Sequence, residues 1–140
     1  MAAVLARLWY RLSDPSGAVW LLAAHVALSF LADLWDLVVL DGGLGLLGAS
    51  LLIEAFFVWR VWMRGRVAWW VAAIGQGLAI GVLAVAMADP ESAGYPPRLD
   101  ALAFLPVVLL TLVGLMIWLS PGLRGHVFGP AAPAPIPSTE

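Results

Sequence analysis

The sequence predicts an all-α integral membrane bundle of four transmembrane helices, with a short N-terminal interfacial helix before it and a disordered C-terminal tail behind it. Three observations carry that prediction. The first is composition. Of 140 residues, 63% are hydrophobic and 11% are charged, whereas a soluble domain has about 25% charged and about 45–50% apolar residues. The mean hydropathy is +0.97, and a water-soluble globule of this size has too little interior to hide so much apolar surface. The second is segmentation: the apolar residues fall into four runs of roughly 20, the length that crosses a bilayer as a helix. The third is the placement of arginine. In the four-span arrangement Arg7, Arg11, Arg60, Arg64, Arg66 and Arg124 share one side and Arg98 stands alone on the other. Short loops rich in Lys and Arg stay in the cytoplasm, so both termini are expected there, in a multi-pass protein of the cell (plasma) membrane.

These observations exclude a cytosolic enzyme, a nucleic-acid-binding domain and a disordered chain. Cysteine is absent, which removes disulfides, thiolate metal sites and Cys nucleophiles. Lysine is absent too, so Schiff-base and phosphate-loop lysine chemistry is excluded. Arginine as the sole basic residue, amid abundant Ala, Gly, Leu, Val and Pro, fits a high-GC bacterial gene and hence a bacterial inner membrane.

Residues 1–16 read as an amphipathic helix lying in the interface. Val4, Leu5, Leu8, Trp9 and Leu12 share one face, and Arg7 and Arg11 lie on another. The apolar run behind it, 18–40, exceeds the roughly 7–15 residues of a signal peptide and contains Asp33 and Asp36, so it is expected to be retained as the first span. Asp41-Gly42-Gly43 is a turn. The second span covers about 44–62, followed by the connection Met63-Arg64-Gly65-Arg66. The third covers about 67–88. A polar loop from Asp89 to Arg98 leads to Asp100, the expected N-cap of the fourth span, about 101–119. Domain organisation is therefore a membrane domain over 1–122 and a Pro/Ala-rich cytoplasmic tail over 123–140 that is expected to be disordered. Tryptophans 9, 20, 59, 62, 69, 70 and 118 fall near the arginine-rich ends, as an interfacial belt does. Ala73, Gly77 and Gly81 recur every four residues and form a candidate helix-packing stripe, within the bundle or between copies.

An ionisable group within a span costs roughly 2.5–3.5 kcal/mol on insertion scales, so such groups mark the candidate site. At 100° per residue, His25, Ser29, Asp33 and Asp36 of the first span fall within about 80° of one another. Glu54 stands alone at the centre of the second span, level with positions 30 and 31 of its antiparallel neighbour, and Gln76 is at mid-depth in the third. A cluster of His25, Ser29, Asp33, Glu54 and Gln76, with Asp36 nearer the outer end, is a candidate polar or proton/cation site. There is no His-Glu-x-x-His helix, no Gly-x-Ser-x-Gly elbow and no phosphate loop. No catalytic residue, metal or cofactor is therefore assigned.

Three functions are compatible with this reading. The favoured one is a non-enzymatic accessory or self-associating membrane module whose polar residues serve assembly. The second is a proton- or cation-coupled small transporter or channel using a buried carboxylate. The third is an intramembrane enzyme acting on a lipid or isoprenoid. Expected partners are the lipid bilayer and a homo-oligomer or larger membrane complex, and not nucleic acid.

Overall fold

A computed structural model describes residues 17–40, 44–96 and 99–129, for 44–47 the backbone alone. Among the described residues the chain is all-α, with five helices: α1 Ala18–Val39, α2 Leu44–Trp62, α3 Arg66–Ala88, α4 Ala101–Trp118 and α5 Pro121–Phe128. The first four coincide with the expected spans to within one residue. The expected interfacial helix at 1–16 and the tail beyond 129 lie outside the described residues.

The helix limits follow from local chemistry. After α2 the chain reverses through Arg64, at φ 61°, and Gly65, whose N–H donates to the Arg60 carbonyl at 2.8 Å. A Cβ on Gly65 would stand 2.6 Å from that oxygen, so this turn requires glycine. Asp100 caps α4 by accepting from the Ala103 N–H at 3.1 Å, as its position predicted.

Two apolar clusters hold the bundle at opposite ends. One joins the start of α1 (Leu21, Leu22), the end of α2 (Val61), the start of α3 (Trp69, Ala73) and the end of α4 (Ile117, Trp118). The other joins Leu40 after α1, Leu83 and Ala86 of α3, and Phe104 and Val107 of α4. This alternation makes the four long helices run up and down. Large apolar side chains cover the outside, with Trp20 and Val67 each 77% exposed. An apolar exterior of this extent is unsuited to water and suited to lipid. Among the described residues, three helices, α1, α3 and α4, are long and apolar enough to cross a membrane. The helix α2, whose first four side chains are not described, carries Glu54 and Arg60.

The expectation of a disordered tail from 123 is corrected for its first part. Residues 121–128 form α5, capped by the Ser120 hydroxyl, which accepts from the Leu123 N–H at 3.3 Å, with Pro121 at the first position. Leu123 and Val127 are buried in the first apolar cluster. Four residues apart, they lie on one face of a helix, and so short an apolar stripe is easily missed beside four prolines. Arg64 donates to the Gly129 carbonyl, and His126 is 3.0 Å from the Trp62 carbonyl and stacks on the Trp62 ring. The helix thus closes the arginine-rich end of the bundle.

The small-residue stripe divides, and of its two expected uses only packing between copies is open to its two glycines. Ala73 is buried, but Gly77 and Gly81 are exposed and nothing lies within 4 Å of a Cβ built on either. The close helix approach is at Gly114 instead, where a Cβ would stand 3.2 Å from the His25 ring.

Replacing Leu123 by Ala is expected to destabilise the protein by about 2–4 kcal/mol, the cost of a cavity in a packed core. Thermal unfolding in detergent checks this, because a tail without contacts would leave the midpoint unchanged.

Candidate functional site

Between the two apolar clusters, where side chains of all four long helices converge, lies a cavity of about 720 Å³. Its position follows from sequence. The polar stripe of α1 cannot join either apolar cluster, so it turns toward the polar residues of α2 and α3. His25, Ser29, Asp33 and Asp36 reach the cavity from α1, Ser50 and Glu54 from α2, Gln76 from α3 and Thr111 from α4. All six predicted polar-site residues therefore line one space. Ile53 of α2 and Val71 and Val82 of α3 line it and are also exposed on the outside of the bundle, so the cavity opens laterally between these two helices.

Its floor is His25, which is 2% exposed. Trp118 Nε1 donates to His25 Nε2 at 3.0 Å, and the rings meet edge to face at 5.1 Å between centroids. An indole N–H is a donor with no acceptor capacity, so Nε2 must be the accepting nitrogen and Nδ1 carries the proton of a neutral ring. Trp118 is itself held, since its carbonyl accepts from Trp69 Nε1 at 2.9 Å. Glu54 Oε1 lies 3.4 Å from the same Nε2. With that lone pair already engaged by Trp118, the contact is not an ion pair in this arrangement. Among the described residues three buried side-chain polar atoms are left without partners: His25 Nδ1, Asp33 Oδ2 and Glu54 Oε1. Ser29 and Ser50 line the same cavity, each one helical turn from a carboxyl group of its own helix, Asp33 and Glu54 respectively. Thr111 spends its hydroxyl on the Val107 carbonyl of its own helix at 2.8 Å.

The opposite end is set by the 89–96 loop. Tyr95 Oη donates to Asp36 Oδ1 at 3.2 Å, and Trp35 Nε1 donates to the Ala103 carbonyl at 2.8 Å. Burial, and next the Asp36 carboxylate, push the Tyr95 phenol up to about 12. Among the described residues the cavity wall holds three carboxyl groups, Asp33, Asp36 and Glu54, and no arginine. Its potential therefore favours a cation. Among the described residues, no group of three or more His, Cys, Asp or Glu is arranged to hold a metal ion.

A second, apolar hollow of about 470 Å³ lies between α1 and α2 on the other side of Glu54, lined by Val26, Val58, Trp59 and Trp62 among others. Glu54 borders both spaces.

Sequence reasoning missed two partners. Trp118 reads as a belt tryptophan, yet it is one turn from Gly114 on the same face of α4, and that spacing is the available clue. Tyr95 lies in a loop, and no periodicity connects it with Asp36. The chain matches no known protein family, no curated protein and no solved structure.

Gly114→Ala is expected to displace the His25 ring by a few tenths of an ångström and to destabilise by about 1–3 kcal/mol, the usual cost of overpacking. Denaturation in detergent measures it. A raised phenol pKa means that the folded state holds its proton more tightly, so the Tyr95 contribution to stability is complete below about pH 10 and is lost as pH rises toward about 12. The chain has two tyrosines. In a spectrophotometric phenolate titration one should ionise late, and Asp36→Asn should bring its midpoint down.

Proposed function

We propose that this chain is a small polytopic protein of a bacterial plasma membrane that binds a cation in its central cavity and couples that binding to a proton on Glu54, as a carrier does. In this reading α2 crosses the bilayer with α1, α3 and α4. It is 19 residues long, about 28 Å at the helical rise, and its one basic residue, Arg60, sits near its end and can extend to the interface. Both termini are cytoplasmic, on the arginine-rich side.

The observation that carries the proposal is the polar column ending on a closed floor. From the loop end inward run Tyr95, Asp36, Asp33, Ser29 and then His25 with Glu54 beside it, with Ser50 on the facing wall. Beyond His25 stand Trp118 and the apolar cluster with α5. A module whose polar residues served assembly alone would need neither the cavity nor the unpartnered oxygens. A blind polar path fits a binding chamber closed toward one membrane face.

The chemistry of Nε2 links proton and floor. Its single lone pair accepts from either the Trp118 indole or a protonated Glu54 carboxyl, 3.4 Å away. Protonation of Glu54 therefore competes directly with the hydrogen bond that holds Trp118 in the floor. Cation binding at the carboxylates favours release of that proton, which couples the two ligands.

A second reading, an intramembrane enzyme for a lipid or isoprenoid substrate, is favoured by the apolar hollow beside Glu54 and by the lateral opening. There His25 and Glu54 would serve as acid and base. Incubation with membrane lipids, followed by mass spectrometry, separates it from the carrier by the presence of a converted product.

In proteoliposomes, proton flux driven by imposed gradients of sodium, potassium and an organic amine is expected to fall to the protein-free level in Glu54→Gln. Unchanged flux removes the proposal's central residue. The absence of native cysteine allows a topology test. Ser92→Cys should react with an impermeant maleimide from outside the cell and Arg124→Cys only after permeabilisation, whereas the reverse pattern overturns the orientation.

A further inference from the structure

The hollow between α1 and α2 differs from the central cavity in its chemistry and in what it faces. We propose that it binds an anionic phospholipid of the arginine-side leaflet, with one acyl chain in the hollow and the phosphate at Arg60. This rests on the reading of α2 as a span and is independent of the carrier reading.

Walls, depth and opening point to an acyl chain. Leu22 and Val26 of α1 face Leu51 and Val58 of α2 across the hollow, and Glu54 is the single ionisable residue in its described lining. Val26, Trp59 and Trp62 line the hollow and are also exposed on the outside of the bundle, so it opens sideways to lipid. From Trp62 to Leu51 it runs about 16 Å at the helical rise. That is about half of the roughly 30 Å hydrocarbon core, the depth of one leaflet. It begins between two tryptophans, which sit at headgroup level in a bilayer, and it ends at mid-membrane. Its volume of about 470 Å³ falls within the roughly 300–1,000 Å³ range of small-molecule sites.

Charge selects the headgroup. Arg60, Arg64, Arg66 and Arg124 stand at this end of the bundle, and Asp89, Glu91 and Asp100 stand at the other. Arg64 is committed to the Gly129 carbonyl, and Arg66 lies over the Phe128 ring. Arg60 is exposed, and its guanidinium carbon stands 5.9 Å from the centroid of the Trp59 ring. Among the described residues it has no carboxylate partner. A guanidinium held beside the mouth of the hollow offers a fork of N–H donors to phosphate oxygens. At the deep end the hollow reaches Glu54, which also borders the cavity. A chain seated there closes the partition between the cavity and the bilayer.

The test uses the full chain in nanodiscs of phosphatidylcholine with a minor share of phosphatidylglycerol that carries a diazirine in its acyl chain. After illumination, peptide mass spectrometry should find the label concentrated on Val26, Ala55 and Val58. Label spread evenly over these and over outward residues of other helices, such as Leu78 and Leu109, means annular lipid only and overturns the proposal. Label on Leu52 and Phe56, on the outward face of α2, with none in the hollow overturns it while α2 stands as a span. Absence of label from the whole of α2 defeats the span reading, and the proposal with it.

Variants separate headgroup from chain. Arg60→Gln should weaken the preference for phosphatidylglycerol over phosphatidylcholine about fivefold, the worth of one arginine near an anionic surface. Arg124→Gln, at the same end but on α5, should leave that preference unchanged. Equal effects of the two mean diffuse attraction and overturn the Arg60 assignment. Ala55→Trp should fill the hollow and remove the label from Val26 and Val58. The competing occupants are the apolar face that the sequence predicts for residues 1–16 and a second copy of the chain. Labelling of the hollow that appears only after deletion of residues 1–13 overturns the proposal in favour of the first. A dimer in native mass spectrometry that Ala55→Trp dissociates overturns it in favour of the second.

Discussion

The hydrogen bond from Trp118 to His25 joins the two halves of this molecule's physical problem. On one side of it lies a dense apolar cluster containing Trp69, Leu22, Val61 and Ile117. On the other lies a cavity carrying carboxyl groups. A buried imidazole with no donor or acceptor nearby would be costly in an apolar setting. Trp118 satisfies one nitrogen at 3.0 Å, and in doing so it determines which nitrogen carries the proton. It thereby leaves the remaining N–H without a partner and Glu54 without a donor from the ring. The character of the whole cavity follows from that one bond.

The supporting structure serves to hold that bond in place. Trp118 is anchored through its carbonyl by Trp69, and both belong to the cluster that α5 covers. Gly114, one turn before Trp118, has no Cβ to press on the His25 ring. At the other end Leu40, Ala86 and Phe104 fasten the helices together, and Tyr95 ties the outer loop to Asp36. Polar residues in the middle and apolar clusters at both ends give a bundle that is stable without filling its centre.

Much of this architecture is legible in the sequence because a bilayer leaves few choices. Backbone polar groups in hydrocarbon must be satisfied within the segment, so long apolar runs read as helices, and the observed limits match to within a residue. The polar stripe of α1 is legible for the same reason: a carboxyl among apolar residues stands out, and helical periodicity says which others share its face. The packing stripe was less legible. Gly77 and Gly81 have a suitable spacing but face away from the bundle, since spacing fixes a face relative to its own helix and not the direction in which that face points. The helical part of the tail was hidden as well, because its stability comes from two buried side chains, Leu123 and Val127, and not from its own propensity.

By itself the sequence determined the helical class, the helix limits and the short inventory of polar groups within the spans. These are one-dimensional properties: length, period, and the rarity of charge in an apolar run. The tertiary structure decided which of those groups meet. It brought α1, α2 and α3 round one cavity, placed Trp118 from a helix with few polar residues against His25, and left Asp33, Glu54 and His25 each with an unpartnered atom. Such pairings join residues as far apart as 93 positions in the chain, and they depend on the rotation of each helix about its own axis. That rotation is set by the packing of all the helices together, which no local pattern encodes.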